Sequence, residues 1–225
     1  TEYLLSYLPR LRQETFTVGA SYRHYAGRHA QTVTLSHSYL NNRNTKYLGN
    51  DESSEDNLTL RLRAVEQKTS LRAENRSYLG RWTLREGVEL NYRTRLGLTG
   101  WGAFVAADYA SADDRLTVSA GIRADGSDFS AETARPWHQL SPRASVRYAL
   151  SERWTVAASA GLYYQLPPFT ALGFENGQGE RVNRGLKYMR VAETSAGFDW
   201  RLRDRLTVSI EGFHKFYTGV PLSLA

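Results

Sequence analysis

The 225-residue sequence contains no cysteine, which removes disulfide frameworks, thiolate metal sites and cysteine nucleophiles together. Its net charge of +6 comes from 29 Lys and Arg interleaved with 23 Asp and Glu, a solvated or ion-paired pattern without the basic block that binds nucleic acid. Aromatic residues make up 12%, with 14 Tyr and 5 Trp, and no apolar run approaches the ~18–20 residues of a membrane-spanning helix.

In chain order, the first predicted strands are 14–25 and 29–40, joined at Ala26-Gly27-Arg28. A long connection, Asn41 to Asp56, leads to strands 57–78 and 82–95 around a short turn at Leu79-Gly80. Strand 101–110 follows across Gly97 to Gly100, then a turn at Ala112-Asp113-Asp114 and strand 115–125. Here alternation is plainest: Leu116, Val118, Ala120 and Ile122 against Thr117, Ser119, Gly121 and Arg123. Successive strand side chains point to opposite faces, so each such segment has one apolar and one polar face. Gly126 to Gln139 is the next long connection, before strands 141–150 and 153–164 around Ser151-Glu152. Leu166 to Leu186 is the last, before strands 187–202 and 204–217 around Arg203-Asp204.

Most of these strands exceed the ~5–6 residues of soluble sheets and match the ~9–11 that cross a bilayer at a tilt. Short turns alternating with mostly longer connections place the two kinds on opposite rims, as in outer-membrane barrels. Trp82, Tyr109, Tyr148, Trp154 and Trp200 fall near the short-turn ends. Tyr92, Tyr163, Tyr164, Tyr188, Phe216 and Tyr217 fall near the long-connection ends. They read as two interfacial girdles, or as β-formers gathered at strand ends. His24, His37, Thr94 and Thr194 sit in the apolar phase, and 101–110 is readable in either phase; a bulge or a rim position would reconcile them. The expected fold is all-β: an antiparallel up-and-down transmembrane β-barrel wall.

Several motifs carry no chemistry. Gly97, Gly100 and Gly102 open no helix and so present no amides to a phosphate. The histidines at 24, 29, 37, 138 and 214 lack ligand spacing. Asp51, Glu52, Glu55 and Asp56 make an acidic loop, read as solvated ahead of a Ca²⁺ site. No nucleophile elbow or paired-carboxylate motif is present. No catalytic residue, metal or cofactor is expected, and the chain is not expected to be an enzyme.

Along the polar phase lie Arg61, Arg63, Arg93, Arg95, Arg115, Arg123, Arg143, Arg147, Arg201 and Arg203. Glu89, Asp125, Glu193, Asp199, Glu211 and Lys215 share it. In a barrel this face lines the lumen. Cross-strand ion pairs that stabilise the wall are one reading, each contributing ~0.2–1 kcal/mol; packing on a lumen-filling domain and guidance of a ligand are the other.

Residues 101–225 resemble the later barrel strands of TonB-dependent receptors. The hairpin Trp101-Gly-Ala-Phe-Val-Ala-Ala-Asp-Tyr109 and Asp114-Arg-Leu-Thr-Val-Ser-Ala-Gly-Ile-Arg-Ala-Asp125 carries the likeness first. Leu140-Ser-Pro-Arg-Ala-Ser-Val-Arg-Tyr148 and Gly161-Leu-Tyr-Tyr-Gln-Leu-Pro-Pro168 continue it. Gly185-Leu-Lys-Tyr188, Glu193, Gly197 and Glu211-Gly-Phe-His-Lys-Phe-Tyr217 complete it. Residues 14–100 fit by pattern alone, with Arg81-Trp-Thr-Leu-Arg-Glu-Gly-Val-Glu-Leu90 similar to a family strand start.

The resemblance implies a barrel of about 22 strands enclosing an N-terminal plug, so residues 1–225 are expected to be a partial barrel domain without plug or closing strands. It implies import across the outer membrane of a scarce ligand such as an iron chelate, vitamin, glycan or peptide, energised through TonB. Expected partners are outer-membrane lipid, the plug and remaining barrel strands, TonB through the missing N-terminal part, and a small-molecule or oligomeric ligand, with no nucleic acid. Tyr163, Tyr164, Gln165 and Phe169 are expected ligand contacts at a loop base; a girdle and loop-packing role is the alternative. Arg123, Arg143, Arg147, Glu193, Asp199 and Glu211 are expected on the lumen wall. A smaller stand-alone outer-membrane pore, or a structural or adhesive β-barrel, is the rival.

Overall fold

The computed structural model describes residues 9–94, 96–176 and 178–221; Arg95, at the end of a predicted strand, lies outside them. Ten strands follow one another: β1 (Arg10–Ala26), β2 (His29–Tyr47), β3 (Leu58–Leu79), β4 (Trp82–Arg93) and β5 (Leu98–Ala110), then β6 (Leu116–Ser127), β7 (Leu140–Ala149), β8 (Trp154–Gln165), β9 (Met189–Arg203) and β10 (Leu206–Thr218). A single helical turn, α1 (Phe169–Leu172), sits between β8 and β9. They form one sheet in sequence order, and every neighbouring pair is antiparallel. Among the described residues β1 and β10 do not pair, so the sheet is open and is not a closed ten-stranded barrel.

Turn chemistry sets the short rim. Gly27 and Gly80 adopt φ of 57° and 66°, the left-handed region that tight hairpin turns require and glycine enters without steric cost. At the β5–β6 turn Ser111 Oγ donates to Asp113 Oδ1 at 2.5 Å, and Asp113 accepts from Arg115 N at 3.3 Å.

Strands β1 and β2 run well past their expected bounds, and β5 and β6 by two or three residues. β2 reaches Tyr47, and the predicted connection from Asn41 shrinks to Leu48–Asn57. Residues Asn41, Asn42, Arg43 and Asn44 pair in register with Val65, Ala64, Arg63 and Leu62. They lie past the stacked Phe16 and Tyr39 rings, 5.2 Å apart, and put polar side chains on both faces of β2, so period two disappears from that strand. The same extension corrects Arg61 and Arg63. An unbroken ladder from Leu35↔Leu71 to Arg43↔Arg63 puts them on the face of Leu71, while Leu60 and Leu62 take the polar side.

Over the rest of the sheet the two faces separate. Val88, Leu90 and Ile210 are 57%, 50% and 57% exposed, while the buried apolar residues among those described are Leu98, Leu166 and Leu172. A sheet with a broad bare apolar face and so small a core needs a non-aqueous surround. On that face Trp82 leads to Tyr92 along β4 and Trp154 to Tyr164 along β8. Ten residues at ~3.3 Å each, tilted, span roughly the 25 Å apolar band of outer-membrane barrels. Trp82 packs on Tyr109 at 4.9 Å, and Trp154 stacks on Trp200 at 5.2 Å. The register removes Tyr163 and Tyr217 from the girdle at the long-connection ends: both pair with Val191, one from each side, on the polar face. Tyr188 lies in the connection before β9. Phe16, Tyr39 and Trp101 share the outward phase at that level. No register shift accompanies His24, His37 or Thr194, whose polar side chains stay on the outward face.

Gly197 holds the last hairpin close. A Cβ there would lie 2.5 Å from the Ile210 carbonyl oxygen and 3.0 Å from the Glu211 Cα, both backbone atoms. Gly197→Val is therefore expected to destabilise the barrel by ~1–3 kcal/mol through overpacking, read as an earlier unfolding midpoint in urea. An unchanged midpoint would show that the β9–β10 spacing is not fixed.

Candidate functional site

The polar face is concave. One cleft of about 570 Å³ is lined by Arg72, Arg85, Phe104, Arg123, Arg143 and Tyr163, which come from six successive strands, β3 to β8. Side chains from that many strands meet across a shared space only on the inner side of a curved sheet.

Register brings its charges together. Glu89, Gly102 and Asp125 align across β4, β5 and β6. Because Gly102 has no side chain, Arg123 reaches over it to Asp125 at 2.6 Å and to Glu89 at 3.4 Å; a Cβ at 102 would lie 2.6 Å from both the Arg123 and Asp125 side chains. Nearby, Arg85 pairs with Asp108 at 2.7 Å, and Ser119 Oγ donates to the same carboxylate at 2.5 Å. Further along, Arg147 meets Asp199 at 3.0 Å, Ser209 donates to Asp199 at 2.8 Å, and Lys215 meets Glu193 at 3.4 Å. Glu211 lies on the same face, opposite Gly197. All six expected wall residues thus share one side, most as cross-strand pairs.

Arg143 differs. Its guanidinium sits over the Tyr163 ring at 4.7 Å, a cation–π contact, and forms none of the ion pairs found among the described residues. Arg72 covers Phe104 in the same way at 5.2 Å. The cleft therefore presents aromatic planes capped by guanidinium groups, which suit anionic or oxygen-rich ligands.

Above it, Asn91, Tyr163, Gln165, Leu166 and Tyr188 line a smaller recess of about 230 Å³ at the loop base. Burial pushes the Tyr188 phenol up to about 12, so it stays a neutral donor at physiological pH. Leu98, Leu166 and Leu172, with Leu96, Phe129, Leu186 and Tyr188 against them, pin the two long connections to the rim. Thr133 ties down the 128–139 connection, with Ser127 N donating to its carbonyl at 2.9 Å and Thr133 Oγ1 donating to the Ser127 carbonyl at 3.2 Å.

The four expected ligand contacts do not converge. Tyr163 and Gln165 share the inner face, while Tyr164 pairs with Arg190 on the outward side. Phe169 opens α1, and its side chain lies outside the described residues. The acidic loop is occupied internally: Asp51 accepts from Ser53 N and Asn57 Nδ2 at 2.9 Å each, Glu52 meets Arg10 at 2.8 Å and Glu55 meets Arg61 at 2.7 Å. Sequence reasoning missed Phe104 and Tyr188 as parts of this site. The first lies in the segment readable in either phase, and the second owes its burial to loop packing.

A sequence family described as "TonB dependent receptor-like, beta-barrel" matches residues 2–224. Comparison with curated proteins returns no match. Among solved structures, a mutant of the ferric enterobactin receptor PfeA from Pseudomonas aeruginosa superposes with a TM-score of 0.69 at 18% identity, over 93% of this chain and 35% of that one. The siderophore receptor PirA from Acinetobacter baumannii gives 0.67 at 13% identity over 92% and 35%. The copper transporter OprC gives 0.63 at 13% identity over 90% and 38%. The chain thus spans little more than a third of the length of these proteins, and identities this low carry the fold alone.

Proposed function

Because this chain belongs to the TonB-dependent receptor β-barrel family, we propose that it forms part of the wall of an outer-membrane importer for a scarce, anionic chelate. Barrels of this family reside in the outer membrane of Gram-negative bacteria and act as receptors and transporters. In this reading the open edges of β1 and β10 pair with further strands of the same barrel. A plug domain fills the lumen and TonB supplies the energy. The connections 48–57, 128–139 and 166–188 face outward and capture the ligand.

One observation carries the choice of an anionic ligand: the Arg143 guanidinium lies on the Tyr163 ring, exposed to the cleft. Desolvating a cation beside an aromatic plane favours a partner that brings negative charge or chelated oxygen. Gln165, on the same face of β8, adds an amide at the loop base.

The first probe is ferric enterobactin, after which the Pseudomonas receptor is named. Arg143→Ala and Tyr163→Ala in the full receptor are each expected to lower uptake of the radiolabelled chelate about tenfold at equal surface abundance, one lost charge-assisted contact at ~1.4 kcal/mol. Wild-type uptake by both variants, with a panel of anionic chelates, would overturn the assignment of this cleft.

A further inference from the structure

On β1 to β3 the outward face turns from apolar to basic. Phe16, Tyr39 and Tyr92 are outward and lie equally far from the short-turn ends of their strands, at Ala26, His29 and Trp82. They therefore mark one height on the wall whatever the strand tilt. Beyond that height one outward position intervenes on each of β1 and β2, Glu14 and Asn41. Then Arg12, Arg43 and Arg63 stand directly opposite one another across the three strands. Arg10 and Arg61 flank Thr45 in the next outward row. The inner side of β3 carries Leu60, Leu62 and Ala64 at the same places, the last two lining a pocket of about 360 Å³ with Leu96 and Phe174. The arginines thus face away from the lumen through which an imported ligand passes.

Like charges directly opposite one another destabilise a sheet unless counter-charge offsets them. For Arg12 and Arg43 a single carboxylate is shared. Glu14 meets Arg12 at 3.0 Å and Arg43 at 4.0 Å, and it also accepts from Asn41 Nδ2 at 3.1 Å. The next row is better matched, with Arg10 on Glu52 at 2.8 Å and Arg61 on Glu55 at 2.7 Å. The Arg12 and Arg43 side chains are 72% and 44% exposed. At ~3.3 Å per residue along a tilted strand, their backbone stands about 10 Å past the rings, and arginine stems are long enough to reach back to the headgroup layer where such rings sit.

We propose that this arginine row is a docking site for the phosphate groups of lipid headgroups, held against the outer wall of the barrel in the external leaflet. Charge complementarity selects the occupant: guanidinium groups present paired N–H donors that match phosphate oxygens, and basic clusters beside a bilayer surface attract anionic headgroups. The order of residues along the wall matches the order of groups in a lipid. Val18 and Leu35, outward below the rings, suit an acyl chain, and the row beyond the rings suits its phosphate. Bound there, the headgroup supplies the counter-charge that Arg12 and Arg43 share too thinly, and it fixes the depth of β1 to β3 in the membrane.

The inference rests on the outer-membrane wall reading, and the test separates the two. The full receptor is reconstituted in phosphatidylcholine vesicles with a fluorophore on Val65→Cys, outward beside the row, or on Val146→Cys, outward on a distant strand. Each is quenched by phosphatidic acid or phosphatidylcholine spin-labelled at the head of the acyl chain. At 65, phosphatidic acid is expected to reach half-quenching at an about fivefold lower mole fraction than phosphatidylcholine, the enrichment that one arginine at a charged surface supports. At 146 the two lipids should quench alike. Arg43→Gln should lower the preference at 65, and Arg12→Gln with Arg43→Gln should abolish it while heat-modifiable gel migration, a sign of a folded barrel, is kept. Excess inorganic phosphate should leave the preference unchanged. Quenching at 146 with no preference at 65, a preference that survives the double substitution, or one that inorganic phosphate abolishes would overturn the headgroup site and leave the wall assignment standing. No quenching at 146 by either lipid would overturn both.

Discussion

Ala144→Arg is expected to destabilise the folded barrel by about 2–4 kcal/mol, and Ser145→Arg, one residue away, by less than about 1 kcal/mol. Both positions lie in the middle of β7 and both are exposed. Their volumes are similar, so size does not distinguish them. The faces do: Ala144 aligns with Ala120 and Ala160 on the apolar side, whereas Ser145 aligns with Ser119 and Ser159 on the cleft side. Arginine at 144 must place a guanidinium in hydrocarbon between the girdles, and snorkelling recovers only part of the cost. At 145 the same group enters a polar, hydrated lumen. Unfolding in lipid vesicles, followed by tryptophan fluorescence, measures both. Equal penalties would contradict a sheet with one lipid face.

The second large effect is at the charge cluster. Arg123→Leu is expected to cost about 2–3 kcal/mol, because it leaves the Glu89 and Asp125 carboxylates without their shared cation. Their side chains are 19% and 17% exposed, so water screens them weakly. The asymmetry between removing one partner and removing all of them supplies the decisive comparison. Glu89→Gln and Asp125→Asn added to Arg123→Leu should recover most of the loss, since no buried charge then stands alone. Lys68, 3.9 Å from Glu89, offsets part of the penalty in the single variant. A triple variant as unstable as Arg123→Leu would mean that packing, not charge, dominates there.

Much of the architecture was legible because a lipid-facing sheet writes its faces into the sequence at every second residue. Strands β6, β7 and β10 show this directly: Val118, Val146 and Ile210 mark the apolar side, and each lies there. Legibility stopped where the medium changes. Past the Phe16 and Tyr39 rings Asn41 to Asn44 put polar side chains on both faces of β2 and so read as loop, while the alternation of Leu60 and Leu62 with Arg61 and Arg63 carries the apolar phase on the other face and made the two arginines read as lumen-facing. In β5, small residues fill both faces, and only its pairing with β4 and β6 sends Phe104 inward. The candidate site was half legible. The phase placed Arg123, Arg143 and Arg147 on one wall, but the contact of Arg123 with Glu89 depends on a register across three strands that no local pattern encodes. Tyr163 and Tyr164 looked equivalent because neighbouring tyrosines near a rim satisfy both the girdle and the ligand roles. Strand geometry divides them, one to each face.

The wall assignment makes one topological demand above all others: the 48–57 connection and the β5–β6 turn must lie on opposite sides of a membrane. The most direct measurement inserts the same short epitope after Ser53 or after Asp113 in the full receptor and compares antibody binding on intact and permeabilised cells. Binding at Ser53 on intact cells, with Asp113 reached only after the outer membrane is opened, is the expected result. Equal binding at both sites on intact cells would contradict it.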